Sequence, residues 1–334
     1  MRIGEGEHAY EWGENWARIP DSESARDGWA HPGMAITQTN EIVISHPGEP
    51  LLLFFGLSGD LRRVIAAPVT EGHGITVARE GTAELIWIAD PGTKRYRQTD
   101  YGPTATAPAG QVVKLTLAGE VALTLCRPEH DIYRSGKYSP TSVAVFDESL
   151  GGNGDVWVAD GYGQSFVHHY DRVGNYLGGI DGRSGTAGAF ACPHGVYIDV
   201  RECDPELYVA DRSNHRVQVF DLEGEFKRSF GSDYLVSPSA FARQGDNLIV
   251  GELHARLTVL DRDDRLVCYL GRNDSVCLAD GWPNAKDASG VPTRTPRIEA
   301  GKFNSPHGLA VDREGSIYVA EWLIGGRTVK LQRG

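Results

Sequence analysis

The sequence predicts an all-β chain folded as a six-bladed β-propeller, a single domain over residues 1–334 closed by its own N-terminal segment. Three observations predict it. A pattern of four short strands recurs six times, each run is β-branched or aromatic and bounded by Asp or Gly turns, and the last copy stops one strand short. Units of this kind cannot bury their faces alone, and radial packing of neighbours covers them.

The fourth unit is the clearest: HGVYIDV from His194, ELYVAD from Glu206, RVQVFD from Arg216 and EFKRSFG from Glu225 read as consecutive antiparallel strands. The same pattern places blades near residues 32–67, 72–125, 139–182, 193–231, 237–271 and 305–331. In the sixth, HGLAVD, SIYVAE and RTVKLQ supply only three strands before Gly334. The missing outer strand is expected from residues 9–19, where Tyr10, Trp12 and Trp16 give an aromatic pattern.

Composition narrows the class. The 334 residues carry a net charge of −12 and no strongly basic run, which argues against binding nucleic acid by neutralising phosphates, so no nucleic-acid partner is expected. No apolar run is long enough to span a bilayer and no signal region precedes the first repeat, so a soluble, cytoplasmic, monomeric protein without membrane contact is expected. Five cysteines, odd in number and without a CxxC pair, favour neither a disulfide framework nor a thiolate metal site, although Cys192 and Cys203 lie close enough to bridge one hairpin.

The informative residues are His73, His194 and His307, which occupy the same position in every second unit, each followed by glycine. Alternate units of a six-membered ring lie about 120° apart, so three imidazoles would converge on the axis. Three neutral imidazoles leave a tetrahedral zinc with an open position, as catalytic sites require. Inner-strand starts, second-to-third-strand turns and interblade connections share one rim. That rim would hold His46 and the Asp160-Gly161-Tyr162 turn, together with two long stretches, Pro91 to Gly110 and Arg272 to Asn304. Long loops in compact folds are usually functional. His215 and His254 are expected to be structural, His168 and His169 to pack or face solvent away from the rim, and the acidic residues ending the second strands to form turns.

The run DRSNHRVQVF from Asp211 resembles the NHL repeat, and the alternating histidines together with Asp160-Gly161-Tyr162 resemble the peptidyl-α-hydroxyglycine α-amidating lyases. That resemblance covers roughly residues 32–332. It implies zinc on His73, His194 and His307, Tyr162 as catalytic base, Arg212 as its partner, and cleavage of a carbinolamide or related hemiaminal, a small-molecule substrate, to an aldehyde and an amide. Two departures follow. The lyases' substrate-binding arginine in the first blade is replaced by Pro47, which leaves His46, Arg95 and Arg97 as candidate substrate contacts. The aspartate that helps hold a structural calcium is replaced by Gly308, so calcium is in doubt. A metal-dependent hydrolase of lactonase type and a non-catalytic NHL scaffold are the alternative readings.

Overall fold

A computed structural model describes residues 1–101 and 109–334. The Pro91 to Gly110 stretch therefore falls partly outside the described residues. Within it, strands Lys94–Arg95 and Asp100–Tyr101 pair as a small hairpin.

Six antiparallel blades follow one another along the described chain; in the first five the strand order follows the sequence, and the sixth joins strands from both ends, the topology of a six-bladed β-propeller. Blade 1, for example, comprises Met34–Ile36, Ile42–Ser45, Leu51–Phe55 and Leu61–Ala66. Blade 6 takes Pro306–Val311, Ile317–Glu321 and Arg327–Arg333 from the C-terminal end and completes itself with Tyr10–Glu14, which pairs antiparallel with Arg327–Arg333. A further strand, Arg2–Ile3, pairs with Tyr10–Glu14, so this sheet has five strands rather than the expected four. Arg327 fixes the junction: its guanidinium donates to Glu14 Oε1 at 2.6 Å and to Glu321 Oε2 at 2.8 Å.

Contacts group the described residues into two compact units. One contains residues 1–67, 94–101 and 241–334, with blades 1 and 6 and most of blade 5. The other contains residues 68–93 and 109–240, with blades 2, 3 and 4. Within the second unit, Trp87, Ala89 and Val112 of blade 2 pack on Val143, Val156 and Val158 of blade 3. Trp157, Ala159 and Val167 pack in turn on Val196, Leu207 and Phe220 of blade 4. In the first unit, Ile42, Ile44 and Phe55 of blade 1 meet Ala310, Tyr318 and Ala320 of blade 6. Successive side chains of a strand point to opposite blade faces, and the middle strands, such as Leu51–Phe55 and Val156–Asp160, are buried nearly throughout, so apolar area is covered on both faces. Among the described residues, no helix is long and apolar enough to cross a membrane.

All five cysteines are free, so Cys192 and Cys203 form no bridge.

Candidate active site

Each repeat histidine is held by one backbone device. His73 Nδ1 lies 2.7 Å from Thr141 O, His194 Nδ1 3.0 Å from Ser239 O, and His307 Nδ1 3.0 Å from Pro32 O. A carbonyl oxygen only accepts, so Nδ1 carries the proton in all three and the lone pair of the neutral ring resides on Nε2. Thr141, Ser239 and Pro32 occupy the histidine position of the following repeat, so one carbonyl of each non-histidine blade orients one imidazole.

The glycine after each histidine has the same cause. A Cβ on Gly74 would lie 2.6 Å from Thr141 O, on Gly195 2.6 Å from Ser239 O, and on Gly308 2.5 Å from Pro32 O. The carbonyl that receives the imidazole proton also occupies the space a side chain would need, so the His-Gly pair is one structural unit. At Gly308 this explains the residue without reference to a calcium ligand. In blades 4 and 6 the histidine is, in addition, the extra residue of a β-bulge. Pro193 pairs with Asp211 and Gly195 with Ala210, and Pro306 pairs with Glu321 and Gly308 with Ala320. A bulge re-aims the side chain it carries.

The acidic residues ending the second strands do more than form turns. Asp90 accepts from Thr70 N at 2.7 Å and Glu71 N at 3.1 Å, the two residues ahead of Gly72 and His73. Asp211 accepts from Ala191 N at 2.7 Å, ahead of His194, and Glu321 from Ser305 N at 2.9 Å, ahead of His307. Asp160 accepts from Ser139 N at 2.6 Å and Gln164 N at 2.7 Å, clamping the turn that carries Tyr162. Each carboxylate thus ties the lead-in of an inner strand to a rim turn. Asp211, Glu252 and Glu321 also meet arginines, Arg216, Arg256 and Arg327. Asp90 and Asp160 accept from amides, Gln111 and Tyr133 instead, and burial pushes each carboxyl up to about 6.

Blades 2, 3 and 4 bring four of the sequence-predicted residues together. Tyr162 Oη lies 3.3 Å from His73 Nε2 and 3.1 Å from His194 Nε2, and Arg212 Nη1 reaches it at 3.5 Å. The His73 and His194 ring centroids are 4.9 Å apart. Two Nε2 lone pairs therefore converge on one phenol oxygen that has a single proton to share, which is a donor set suited to a cation. Burial pushes the Tyr162 phenol up to about 12, against the pull of Arg212, whose guanidinium also sits 5.4 Å over the ring. Sequence reading missed Cys192, whose Sγ lies 3.2 Å from Arg212 Nη2 and helps hold that side chain. Its place two residues before His194 was the available signal.

His307 lies in the first unit, where its ring centroid is 4.7 Å from that of His31. The two residues can bring ring nitrogens within 4.8 Å of each other. His31 immediately precedes Pro32 and follows no repeat pattern, so nothing in the spacing marks it.

The remaining candidates have local roles. His46 is buried, and its Nδ1 accepts from Gly48 N at 3.1 Å and Glu49 N at 2.9 Å, so the neutral ring carries its proton on Nε2, the reverse of the three repeat histidines. Burial lowers its pKa, which keeps it neutral. Arg95 is exposed, with its guanidinium 5.2 Å over the Trp29 ring. Arg97 donates to Pro292 O at 3.2 Å and lies 3.8 Å from Asp287, tying the hairpin to the 272–304 loop. His168 is fully buried between Tyr133 and Tyr176, and His169 stacks on Trp157 at 4.0 Å, both packing roles.

Residues 190–220, which include both His194 and Arg212, match the NHL repeat. The chain contains an NHL repeat. NHL repeat-containing protein 3 of Mus musculus is 28% identical over 317 residues, which is 89% of this chain and 77% of that protein. Peptidyl-alpha-hydroxyglycine alpha-amidating lyase 1 of Drosophila melanogaster is 29% identical over 272 residues, 75% of this chain and 42% of the lyase. A streptogramin B lyase structure superposes with a TM-score of 0.60 over 99% of this chain and 100% of that one, at 13% identity, a likeness of fold alone. The chain is thus about equally similar to a protein named for its repeat and to one named for a lyase.

Proposed function

We propose that this protein is a metal-dependent lyase that cleaves the C–N bond of a carbinolamide, giving an aldehyde and an amide. The observation that carries the reading is Tyr162 Oη facing Nε2 of His73 and His194, with both rings locked through Nδ1 and Arg212 beside the phenol. The residues fit a zinc ion: His73, His194 and His307 would hold it through Nε2, with His31 a further candidate ligand. Zinc, when bound, supplies positive charge that stabilises a phenolate and an ionising hydroxyl.

The chain's own residues account for the proton movements. A phenol raised to about 12 is a poor base by itself, and Arg212, within 3.5 Å of its oxygen, favours the ionised form. Tyr162 takes the proton of the substrate hydroxyl. The C–O bond becomes a carbonyl as the C–N bond breaks with its electron pair going to nitrogen, and the same phenol returns the proton to that nitrogen. No water is consumed, so substrate atoms divide completely between aldehyde and amide.

Support from relatives is the similarity to the Drosophila melanogaster lyase, weighed against an equal similarity to NHL repeat-containing protein 3. The test is aldehyde release from an N-acyl-α-hydroxyglycine, with metal content measured on protein purified without added metal. Tyr162→Phe keeps the ring and deletes the proton-accepting oxygen. It should retain metal and lose about 10²-fold or more in turnover, whereas a His194→Ala/His307→Ala double variant should lose the metal. Equal turnover by Tyr162→Phe removes the phenol from the mechanism. Retention of stoichiometric metal by the double variant removes the histidine site, and the scaffold reading then stands.

A further inference from the structure

The carboxylate that clamps the Tyr162 turn is the inner end of a buried hydrogen-bonded chain lying wholly within the second unit. Asp160 closes the strand Val156–Asp160, Tyr133 ends the short 3-10 helix Asp131–Tyr133, His168 is at the centre of the strand Phe166–Tyr170, and Tyr176 begins the outer strand Tyr176–Ile180. Tyr133 Oη donates to Asp160 Oδ2 at 2.7 Å and lies 2.7 Å from His168 Nε2, while His168 Nδ1 lies 3.2 Å from Tyr176 Oη. Asp160, Tyr133 and His168 are buried, and Tyr176 is half-buried at the outer end.

Proton counting gives this chain a direction. A carboxylate only accepts, so the single phenol proton of Tyr133 goes to Asp160, and the Tyr133 oxygen accepts from His168 Nε2. The lone pair of the neutral ring is then on Nδ1, where it accepts from Tyr176, the tautomer opposite to that of His73, His194 and His307. Burial pushes the His168 imidazole down to about 3, which keeps it neutral. The rings of Phe166 and Tyr138 close over it with centroids at 4.8 and 5.9 Å, and those of Tyr170 and His130 lie at 6.5 Å. Facing the carboxylate are the positive charge of Lys137, the amides of Ser139 and Gln164, and, from blade 4, the Cys192 thiol, itself pushed up by burial.

One proton can be added without losing a bond. With the proton on Asp160 Oδ2, the carboxyl donates to Tyr133 Oη, Tyr133 donates to His168 Nε2, and the ring, now protonated on Nδ1, donates to Tyr176 Oη. Each contact survives with donor and acceptor exchanged, and the proton enters from solvent at Tyr176. Oδ2 is also the oxygen that accepts from Gln164 N at 2.7 Å, two residues beyond Tyr162. An oxygen that carries a proton is a weaker acceptor than a carboxylate oxygen. The reversed chain therefore slackens the turn that holds the phenol.

We infer that Tyr133 and His168 are positioning residues for Tyr162: the inward chain keeps the Asp160 carboxylate seated on the Tyr162 turn, and one proton taken up by Asp160 reverses the chain and moves His168 to its other tautomer. The task given to Tyr162 rests on the lyase reading, whereas the tautomer exchange does not, and the experiment reads them separately. Nitrogen NMR follows the two His168 ring nitrogens and the Gln164 amide, and carbon NMR follows the Asp160 carboxyl, between about pH 5 and 8. The His168 proton should sit on Nε2 at neutral pH and pass to Nδ1 with the midpoint of the carboxyl, near pH 6, and the Gln164 amide should titrate with them. Tyr133→Phe cuts the link. In it the Asp160 midpoint should rise by about one pH unit, the scale of one hydrogen bond to a charged group, and His168 should stop responding. The acid limb of kcat for aldehyde release should move up by the same shift with KM unchanged, which a packing role for Tyr133 would not produce. A His168 proton on Nδ1 at neutral pH, or one that stays on Nε2 through the Asp160 titration, overturns the chain. A Gln164 amide that ignores the titration, or an acid limb that stays put in Tyr133→Phe, overturns the positioning of Tyr162. If His168, Asp160 and Gln164 titrate together and no carbinolamide releases aldehyde, the chain stands and the lyase reading falls.

Discussion

Replacing Gly195 with alanine tests the His-Gly-carbonyl device directly. The added Cβ would stand 2.6 Å from Ser239 O, the oxygen that receives the His194 Nδ1 proton at 3.0 Å. Relief to an ordinary contact requires roughly 0.8 Å of movement in a close-packed inner strand, an overpacking that costs about 1–3 kcal/mol. Moving that oxygen also strains or breaks the imidazole bond, adding about 1 kcal/mol. With an unfolding entropy of about 2.1 cal/mol/K per residue, a total of about 2–4 kcal/mol lowers the melting temperature of this chain by about 3–6 °C. If His194 ligates a metal, loss of its orienting partner should also weaken metal affinity by about 10–100-fold. The control is Gly13→Ala, whose Cβ would meet Lys330 O at an ordinary 3.4 Å. Differential scanning calorimetry and a competitive chelator titration provide the two readouts. A Gly195→Ala protein that melts within 1 °C of the Gly13→Ala control and keeps its metal would refute the reasoning, because the carbonyl would then be neither crowded nor orienting.

Two further outcomes follow from the buried charges. Arg327 is fully buried between Glu14 and Glu321, so Arg327→Met leaves Glu321 buried without its guanidinium and should cost about 3–5 kcal/mol in urea denaturation; a loss under 1 kcal/mol would show that the N-terminal strand does not depend on this junction. The Asp160 carboxyl is raised from 3.8 to about 6, so its protonated form is favoured by folding: its contribution to stability is complete below about pH 4 and is lost as the pH rises through about 6. Carboxyl NMR should find it titrating near pH 6, and the stability slope between pH 4 and 6 should flatten in Asp160→Asn. A carboxyl titrating below pH 4 contradicts this.

The strands and the blade count were legible because each is a local property: a short β-branched or aromatic run, a Gly or Asp turn, and a repeat that returns in step. The N-terminal completion of blade 6 was legible for a related reason, since a unit one strand short leaves a hydrogen-bonding edge that some other segment must cover. Period alone also marked His73, His194 and His307, and the Asp-Gly-Tyr turn marked Tyr162. Why those histidines are followed by glycine was not legible. The answer is a carbonyl 45 residues away for His194, 68 for His73 and 275 for His307, and backbone oxygens leave no signature in a sequence. The same limit applies to Asp90, Asp160, Asp211 and Glu321. As sequence they are turn formers, whereas in the structure they clamp the lead-ins of the inner strands and the Tyr162 turn. His31 belongs to an irregular segment with no period to betray it. Composition and spacing thus determined the fold and the identity of the repeating ligand candidates. Tautomer and orientation were decided by tertiary contacts, because a proton's position on an imidazole depends on the acceptor that long-range folding brings to it.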